Sequence, residues 1–286
     1  EVKIMEMKKC TALWGATIGD IVGSPYEFNN LKSKDFPLFS VIGFFTDDTA
    51  MTVAVADALM NVSPDASDEV IAGRIARRLL DYGRHYPHIG YGHLFREWLK
   101  TENPAPYNSW GNGAPMRCSA AGWMADSMES AARLARLSAL PTHNHPEGIK
   151  AAVVTAQLIY LARTGESMDA MRSFAEKHYA VPVIDEIRES YHFTESSMET
   201  MPVVLAAFFE SVSFEDTIRN AVSVGGDSDT IAAIAGSIAE AYYGVPEEII
   251  ASAENYLDRH LLTKITTFSR YYGYSAGRGM SSGVED

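Results

Sequence analysis

The sequence contains few cysteines and no long apolar run. Cys10 and Cys118 are its only cysteines among 286 residues, and two cysteines so far apart form neither a disulfide framework nor a zinc-ligand pattern. No apolar run approaches the roughly 20 residues that a membrane-spanning helix needs. The first residues also lack the charged and then apolar pattern of a secretory leader. These absences lead us to expect a reduced, cytoplasmic protein that does not bind membranes.

Basic residues are scarce relative to acidic ones. The chain has 24 Lys and Arg against 37 Asp and Glu, which gives a formal net charge of −13. Nucleic acids and anionic membranes attract basic surfaces, so we expect no nonspecific binding to either. A small phosphate-bearing ligand is still compatible with this charge, because backbone N–H groups at a helix N-terminus can bind phosphate locally.

The alternation of apolar and polar residues that is typical of β-strands is also scarce, and apolar residues recur instead at helical spacing. This pattern predicts an all-α fold with one domain over residues 11–272. An extension at 1–10 precedes this domain. A Gly- and Ser-rich tail at 273–286 follows it, and we expect the end of the tail to be mobile. A long non-helical stretch is predicted from about 23 to 45, and loops of that length are often functional. The predicted helices span residues 11–22, 47–61, 68–83, 92–100, 115–125, 128–139, 147–164, 167–178, 199–211, 214–222, 229–243 and 246–259.

One acidic cluster lies in the stretch Gly225-Gly226-Asp227-Ser228-Asp229-Thr230, just before an apolar helix. The two glycines allow a sharp turn. In an extended segment, residues i and i+2 point the same way, so the carboxylates of Asp227 and Asp229 would face one point. Two buried carboxylates need a cation or water, since unpaired burial of charge is costly.

A second acidic cluster, Thr46-Asp47-Asp48, begins another apolar helix. Thr46 is a natural N-cap, and acids in a first turn complement the helix dipole, so capping alone explains either cluster. Taken together, the two clusters offer four carboxylates and two threonine hydroxyls. Mg²⁺ and Mn²⁺ prefer such oxygen ligands, whereas zinc usually takes Cys and His. We therefore predict a site for hard divalent cations.

Three loops carry further polar candidates. Gly19 to Phe28 contains Glu27, which is either a solvated loop acid or an acid turned toward a cleft. Ser109 to Arg117 places a donor-rich Gly-Asn-Gly backbone before a helix, which suits a phosphate. Trp110 would lie against a base or ribose, or in the core. Thr142-His143-Asn144-His145-Pro146 is interpreted as a ligand contact and not a metal site.

Taken in the order in which they occur along the chain, the five motifs resemble those of the ADP-ribosylglycohydrolase family, which includes the glycohydrolase that reactivates ADP-ribosylated dinitrogenase reductase. The resemblance runs from about residue 11 to 260 and implies a compact orthogonal bundle of helices with two divalent cations, Mg²⁺ or Mn²⁺. The metal ligands that it implies are Thr46, Asp47, Asp48, Asp227, Asp229 and Thr230. Glu27 matches an acid near the metals that serves as ligand or general acid/base in some members, and Glu27 and Asp48 are our candidates for the catalytic acid or base, in either order. The substrate contacts that it implies are Ser109, Trp110, Gly111, Gly113, Met116 and His143.

The resemblance implies hydrolysis of the ribose C1″ glycosidic bond of an ADP-ribosylated substrate, such as a modified arginine or serine side chain, with release of ADP-ribose. Arginine-type members carry a further acid after the second metal helix, and residues 82–93 contain no Asp or Glu. Hydrolysis of O-acetyl-ADP-ribose or another ADP-ribose derivative is an alternative. Another is a non-catalytic ADP-ribose binder or a structural protein like the J1-crystallins. The sequence leaves the leaving group, the metal and the oligomeric state open.

Overall fold

A computed structural model describes residues 11–63 and 65–279, with the side chains described up to residue 272. Within these residues the protein has fourteen α-helices and no strand, and Gly111 and Ser196 form an isolated antiparallel bridge. The all-α prediction is therefore confirmed. The helices are Trp14–Gly23 (α1), Asp47–Met60 (α2), Asp68–His85 (α3), His93–Lys100 (α4), Ser119–Met124 (α5), Met128–Ala139 (α6), Pro146–Arg163 (α7), Met168–Ala175 (α8), Ile184–Ile187 (α9), Ser197–Phe209 (α10), Phe214–Val224 (α11), Ser228–Tyr243 (α12), Glu247–Ala253 (α13) and Arg259–Gly279 (α14).

Several helices depart from the prediction. The predicted helix at 115–125 begins only at Ser119, because residues 112–117 form consecutive turns. The predicted helix at 246–259 ends at Ala253 and continues as a 3₁₀ turn. Helices α9 and α14 were not predicted, although Leu261, Ile265 and Phe268 recur at helical spacing and are buried.

Helix α14 crosses the boundary that the sequence analysis places between residues 272 and 273. The predicted N-terminal extension at 1–10 and the end of the predicted tail at 280–286 lie outside the described residues. Among the described helices, none is both long enough and apolar enough to cross a membrane.

Helix α1 packs along its length against the part of α12 that runs from Ser228 to Glu240. All of α1 is buried, and α12 is buried from Ser228 to Glu240. A Cβ atom added at Gly19 would lie 2.1 Å from the carbonyl oxygen of Ala232, so only glycine allows this backbone contact. The crossing places the end of α1, with Asp20, beside the start of α12.

The loop between α1 and α2 is held against helix α11 and the turn that follows it. The Arg219 guanidinium donates to the carbonyl oxygens of Lys34 (3.0 Å) and Phe36 (2.7 Å). The Asn30 side chain accepts from Gly226 N (2.8 Å) and donates to Gly226 O (3.1 Å). The stretch predicted as non-helical contains a 3₁₀ turn at Ser24–Tyr26, and Glu27 follows this turn in a loop that tertiary contacts hold in place.

The apolar core has a large part and a small part. The large part involves most of the helices, whereas the small part lies between α5, α6 and α7 and consists of alanines with Cys118. Small side chains let these three helices approach closely, and the loop at 109–117 leads directly into this region. The packing of α5 to α7 therefore supports the loop from behind.

Candidate active site

The two acidic clusters meet in one cavity of about 220 Å³. Asp47 and Asp48 reach it from the start of α2, and Asp227, Asp229 and Thr230 reach it from the start of α12. The Thr230 hydroxyl donates to Asp48 Oδ2 over 3.0 Å, although the two residues are 182 positions apart in sequence. The structure thus joins the clusters that the sequence analysis combined by chemistry alone.

The Gly225–Gly226 turn directs the second cluster into the cavity. Both glycines have positive φ, at 73° and 74°. A Cβ atom at Gly226 would lie 2.5 Å from the Tyr191 ring, and one at Gly225 would lie 2.9 Å from Asn30 Oδ1. Both conformation and space therefore require glycine here.

Asp20, to which the sequence pattern gives no role, lies beside the two acidic clusters. It is fully buried and accepts hydrogen bonds from Thr46 N (2.9 Å), the Thr46 hydroxyl (2.7 Å) and Thr49 N (3.0 Å). Thr46 also caps α2 by accepting from Asp48 N. Because the Thr46 proton goes to Asp20, the hydroxyl oxygen turns its lone pairs toward the start of α2.

Asn112 is a second residue without a role assigned from sequence. Its Nδ2 donates to Asp227 Oδ2 over 2.6 Å, and its backbone N donates to Glu195 O over 2.8 Å. Asn112 therefore ties the loop at 109–117 to the second acidic cluster and to the segment before α10. A Gly-Asn-Gly sequence is a common loop pattern, so only the fold reveals this contact.

The carboxylates form two groups with the spacing of metal ligands. One group is Asp20, Asp48 and Asp229, and the other is Glu27, Asp227 and Asp229; in each, one oxygen per residue lies within 4.8 Å of the others. Asp48 Oδ1 is buried and has no hydrogen-bond partner in the described part of the chain. A buried oxygen without a partner fits a cation ligand, since leaving it unpaired is costly. Asp47 lines the cavity but belongs to neither group.

Burial and mutual repulsion raise the pKa values of these acids. Burial, with the charge of Asp229, raises the pKa of Asp47 and of Asp48 well above the usual aspartate value. Burial raises the pKa of Asp227 to about 7 and, with Asp229 nearby, that of Glu27 to about 8. So many close carboxylates cannot all ionise without positive charge among them. The donor set therefore fits hard divalent cations.

Five of the six predicted substrate contacts line the same cavity, and they are Ser109, Gly111, Gly113, Met116 and His143. The Ser109 hydroxyl accepts from Gly111 N over 3.1 Å, which shapes the loop. Trp110 does not line the cavity. Its ring is 52% exposed and packs edge-on against His145, with centroids 5.8 Å apart.

The rim of the cavity contains residues that no sequence signal indicated. Glu195 and Phe193 line it from the segment before α10. The exposed Phe28 ring stacks on Phe193 with centroids 5.7 Å apart. The backbone bond from Asn112 N fixes Glu195 beside the loop at 109–117. The entrance thus combines an aromatic pair with a carboxylate.

Comparison with known proteins gives consistent matches. A family model described as ADP-ribosylglycohydrolase matches residues 6–274. ADP-ribosylhydrolase ARH3 of Homo sapiens is 28% identical, over 88% of this chain and 90% of that protein. The ADP-ribosyl-[dinitrogen reductase] glycohydrolase of Rhodospirillum rubrum is 29% identical, over 82% of this chain and 85% of that protein. A solved structure described as an ADP-ribosylglycohydrolase-related protein complex shares the fold, with a TM-score of 0.67 at 24% identity over 91% of this chain and 97% of that one.

Proposed function

This chain belongs to the ADP-ribosylglycohydrolase family of glycosidic-bond hydrolases, and we propose that it cleaves the ribose C1″ bond of an ADP-ribosylated protein side chain and releases ADP-ribose. The observation that carries the proposal is the meeting of the two acidic clusters in one cavity, joined by the hydrogen bond from Thr230 to Asp48. The relatives' names support ADP-ribosylated substrates.

We propose that two divalent cations, Mg²⁺ or Mn²⁺, belong to this site. Asp48, Asp227 and Asp229 are the carboxylates best placed to hold them, with Thr46 and Thr230 beside them and Asp47 at the cavity wall. Bound cations of this kind act as Lewis acids toward oxygen ligands. Asp20 already accepts several hydrogen bonds, so its main role is to orient Thr46 and Thr49 at the start of α2.

Glu27 is the better candidate for proton transfer. It is half-buried on the loop after α1 and faces the cavity, and burial raises its pKa to about 8. A half-buried carboxyl group at the cavity can exchange a proton with water or with a leaving group. Asp48 is more enclosed and bonded to Thr230, which favours a role as cation ligand over one as acid or base.

The loop at 109–117 and His143 are suited to the ribose and pyrophosphate. Ser109, Gly111 and Gly113 present backbone and hydroxyl groups to the cavity, and Met116 adds an apolar wall. The exposed Trp110 ring belongs to the same loop but lies outside the cavity, where a ligand that extends beyond the cavity would meet it. The cytoplasmic location stays a prediction.

The experiment incubates the protein and Mg²⁺ or Mn²⁺ with each of four substrates and measures release of ADP-ribose. The substrates are ADP-ribosyl-arginine, ADP-ribosyl-serine, O-acetyl-ADP-ribose and poly(ADP-ribose). We expect release of ADP-ribose from a modified side chain. Release from O-acetyl-ADP-ribose alone would replace this substrate with the alternative one. Release from none, with ADP-ribose still bound, would favour the non-catalytic binder.

Two variants test the site itself. Asp47→Ala and Asp227→Ala should each reduce turnover at least about 100-fold, because loss of groups that hold or orient a metal has effects of this size or larger. Both should remain folded by circular dichroism, since these acids line a cavity and do not fill the core. Glu166→Ala, at an exposed acid in the turn after α7, is the control and should keep full activity. Retained activity in both site variants would overturn the proposal.

A further inference from the structure

Glu195 lies at the mouth of the cavity, outside both acidic clusters. It lines the cavity from the segment before α10 and belongs to neither group of carboxylates with the spacing of metal ligands. Its backbone is held in place, because Glu195 O accepts from Asn112 N over 2.8 Å and the next residue, Ser196, forms the antiparallel bridge with Gly111. The loop at 109–117 therefore sets the position of Glu195 without using its carboxylate.

The Glu195 carboxylate has no partner among the residues that the structure describes. Its side chain is exposed, accepts no hydrogen bond from them and forms no ion pair with them. Glu199, four residues further along, differs in both respects: its carboxylate accepts from the Thr194 hydroxyl and does not line the cavity. A carboxylate that is held at a cavity mouth without a counter-ion is available to a cationic ligand.

Two phenylalanine rings lie on the same side of the mouth. Phe193 lines the cavity two residues before Glu195, and the Phe28 ring stacks on it with centroids 5.7 Å apart and an interplanar angle of 29°. Phe28 is 84% exposed, so burial in the core does not explain the pair. The face of an aromatic ring attracts cations, so this pair and Glu195 suit the same kind of ligand group.

The leaving group of the substrate has to reach this side of the mouth. Glu27 directly precedes Phe28, lines the cavity and is the candidate for proton transfer. The charge of Glu195 acts on Glu27, since it adds to burial, the largest cause, in raising the pKa of Glu27. A leaving group in contact with Glu27 is therefore beside the Phe28–Phe193 pair and close to the Glu195 carboxylate.

A guanidinium group fits these surroundings better than a hydroxyl group does. It is planar and always charged, it pairs with a carboxylate through two parallel N–H donors, and it stacks on aromatic faces. A serine side chain is neutral and would leave the charge of Glu195 unpaired. The part of the wall formed by residues 90–95 contains no acid that could bind a cation instead.

We propose that Glu195 is a specificity-determining residue for a guanidinium leaving group, which it binds together with the ring faces of Phe28 and Phe193. The substrate is then a protein that is modified on arginine. This assignment rests on the proposed hydrolysis of an ADP-ribosylated side chain and narrows it to one kind of side chain.

Two other roles of Glu195 make different predictions. A solvated acid at the rim would affect the cleavage of no substrate. An acid that acts only through its charge on Glu27 would affect all substrates alike, because Glu27 would serve every leaving group. A role in recognition instead changes the ratio between a cationic and a neutral substrate, so this ratio is the quantity to measure.

The first test compares kcat/KM for ADP-ribosyl-arginine and ADP-ribosyl-serine in the presence of Mg²⁺. In the wild type we expect the arginine substrate to be preferred. Glu195→Gln keeps the size of the side chain and removes its charge. It should lower kcat/KM for the arginine substrate about tenfold, the size of one hydrogen bond to a charged group, without a comparable loss for the serine substrate.

Glu186→Gln is the matched control, because Glu186 is an exposed acid that does not line the cavity. This variant should leave kcat/KM for both substrates unchanged. An equal loss for both substrates in Glu195→Gln, or no loss for the arginine substrate, would overturn the proposal.

The aromatic part of the site is tested with Phe28→Leu, which keeps an apolar side chain and removes the ring face. It should lower kcat/KM for the arginine substrate about threefold, as expected for an exposed cation–π contact, and spare the serine substrate. Phe44→Leu is the control, since Phe44 is an exposed ring outside the cavity. The same activity in Phe28→Leu and Phe44→Leu would remove the rings from the proposed site.

The second test measures binding by calorimetry in the Asp47→Ala background with Mg²⁺, where turnover is slow. We expect ADP-ribosyl-arginine to bind more tightly than ADP-ribose, and Glu195→Gln to abolish the difference. Equal affinity for the two ligands before Glu195 is changed would contradict a guanidinium site.

The failure of this proposal differs from the failure of the proposed function. A wild-type protein that cleaves the serine substrate and not the arginine substrate overturns the role of Glu195 and leaves the proposed function standing. A wild-type protein that cleaves neither counts against the proposed function, and the calorimetry then decides whether Glu195 binds a guanidinium group.

Discussion

At the scale of single residues, buried carboxylates in this protein fall into two kinds. Asp48 stands among other acids in one cavity, whereas Glu240 does not, although each has one buried oxygen without a hydrogen-bond partner in the described part of the chain. Glu240 is 2% exposed at the other end of α12, and its Oε2 accepts from Gly15 N over 2.9 Å. That bond places a carboxylate at the N-terminus of α1, where the helix dipole favours negative charge. Glu240 therefore has a structural role, and Asp48 is available to a ligand.

Glu240 makes the stability of the protein depend on pH. Burial raises its pKa from 4.5 to about 7, against the lowering effect of the bond from Gly15 N. Between these values the folded protein retains the proton and the unfolded chain has released it. The contribution of Glu240 to stability is therefore full below about pH 4.5 and is lost as the pH rises through 7.

Glu240→Gln should remove this dependence. The free energy of unfolding of the wild type, relative to the variant, should fall by about 2.5 kcal/mol between pH 5 and pH 8. The measurement is urea unfolding of both proteins over this range at a fixed Mg²⁺ concentration, so that the cavity acids contribute equally to both. A difference that does not change with pH would contradict the role assigned to Glu240.

At the scale of the elements, the crossing of α1 and α12 decides where the site residues lie. Gly19 contacts the backbone of α12 at Ala232, and the next residue, Asp20, orients the start of α2 through Thr46. Asp229 lies at the start of α12, near Gly23. A change in the spacing of these two helices would therefore move both halves of the acidic site.

Gly19→Ala should destabilise the protein, whereas Gly73→Ala should stabilise it. A Cβ atom at Gly19 would meet backbone at 2.1 Å, and such overpacking typically lowers the free energy of unfolding by about 1–3 kcal/mol. Gly73 is exposed inside α3, and nothing lies within 4 Å of an added Cβ atom. Alanine there should raise stability by roughly 0.8–1 kcal/mol through helix propensity. Thermal unfolding of both variants measures the change in stability relative to the wild type. The same change in both variants would show that the helix crossing tolerates a side chain at Gly19.

At the scale of the whole molecule, unbalanced negative charge is concentrated in one cavity. The formal net charge is −13, and the cavity is lined by Glu27, Asp47, Asp48, Asp227 and Asp229. Among the described residues, several Lys and Arg side chains pair with other acids, such as Asp57 and Asp68, and Arg117 is the one Arg that lines the cavity. Mutual repulsion among ionised carboxylates in the cavity therefore opposes folding, and positive charge placed among them would relieve it.

Mg²⁺ or Mn²⁺ at millimolar concentration should raise the melting temperature. A ligand that binds only the folded state stabilises it by about 2.7 kcal/mol at 100 times its dissociation constant. Differential scanning fluorimetry with NaCl at matched ionic strength separates this effect from screening. The Asp48→Asn variant should lose most of the shift. No shift in the wild type, together with activity that a chelator does not affect, would argue against a cation site.

Much of the fold was predictable from local features of the chain. Helical spacing of apolar residues, together with the absence of alternation, indicated an all-α protein. Thr46 was recognised as an N-cap, and Gly225–Gly226 as a turn, because both depend on the chemistry of a few adjacent residues. Helix α14 was missed, although Leu261, Ile265 and Phe268 show the spacing of a buried face.

The sequence by itself determined which residues offer side-chain oxygen atoms and where the chain turns. Helix capping, turn conformation and the spacing of apolar residues each depend on only a few neighbouring residues. Only the tertiary structure decided which of them meet. It brought Thr230 to Asp48 and Asn112 to Asp227, and it left Trp110 outside the cavity. These outcomes depend on the close crossing of α1 and α12, which joins segments far apart in sequence and which no local pattern encodes.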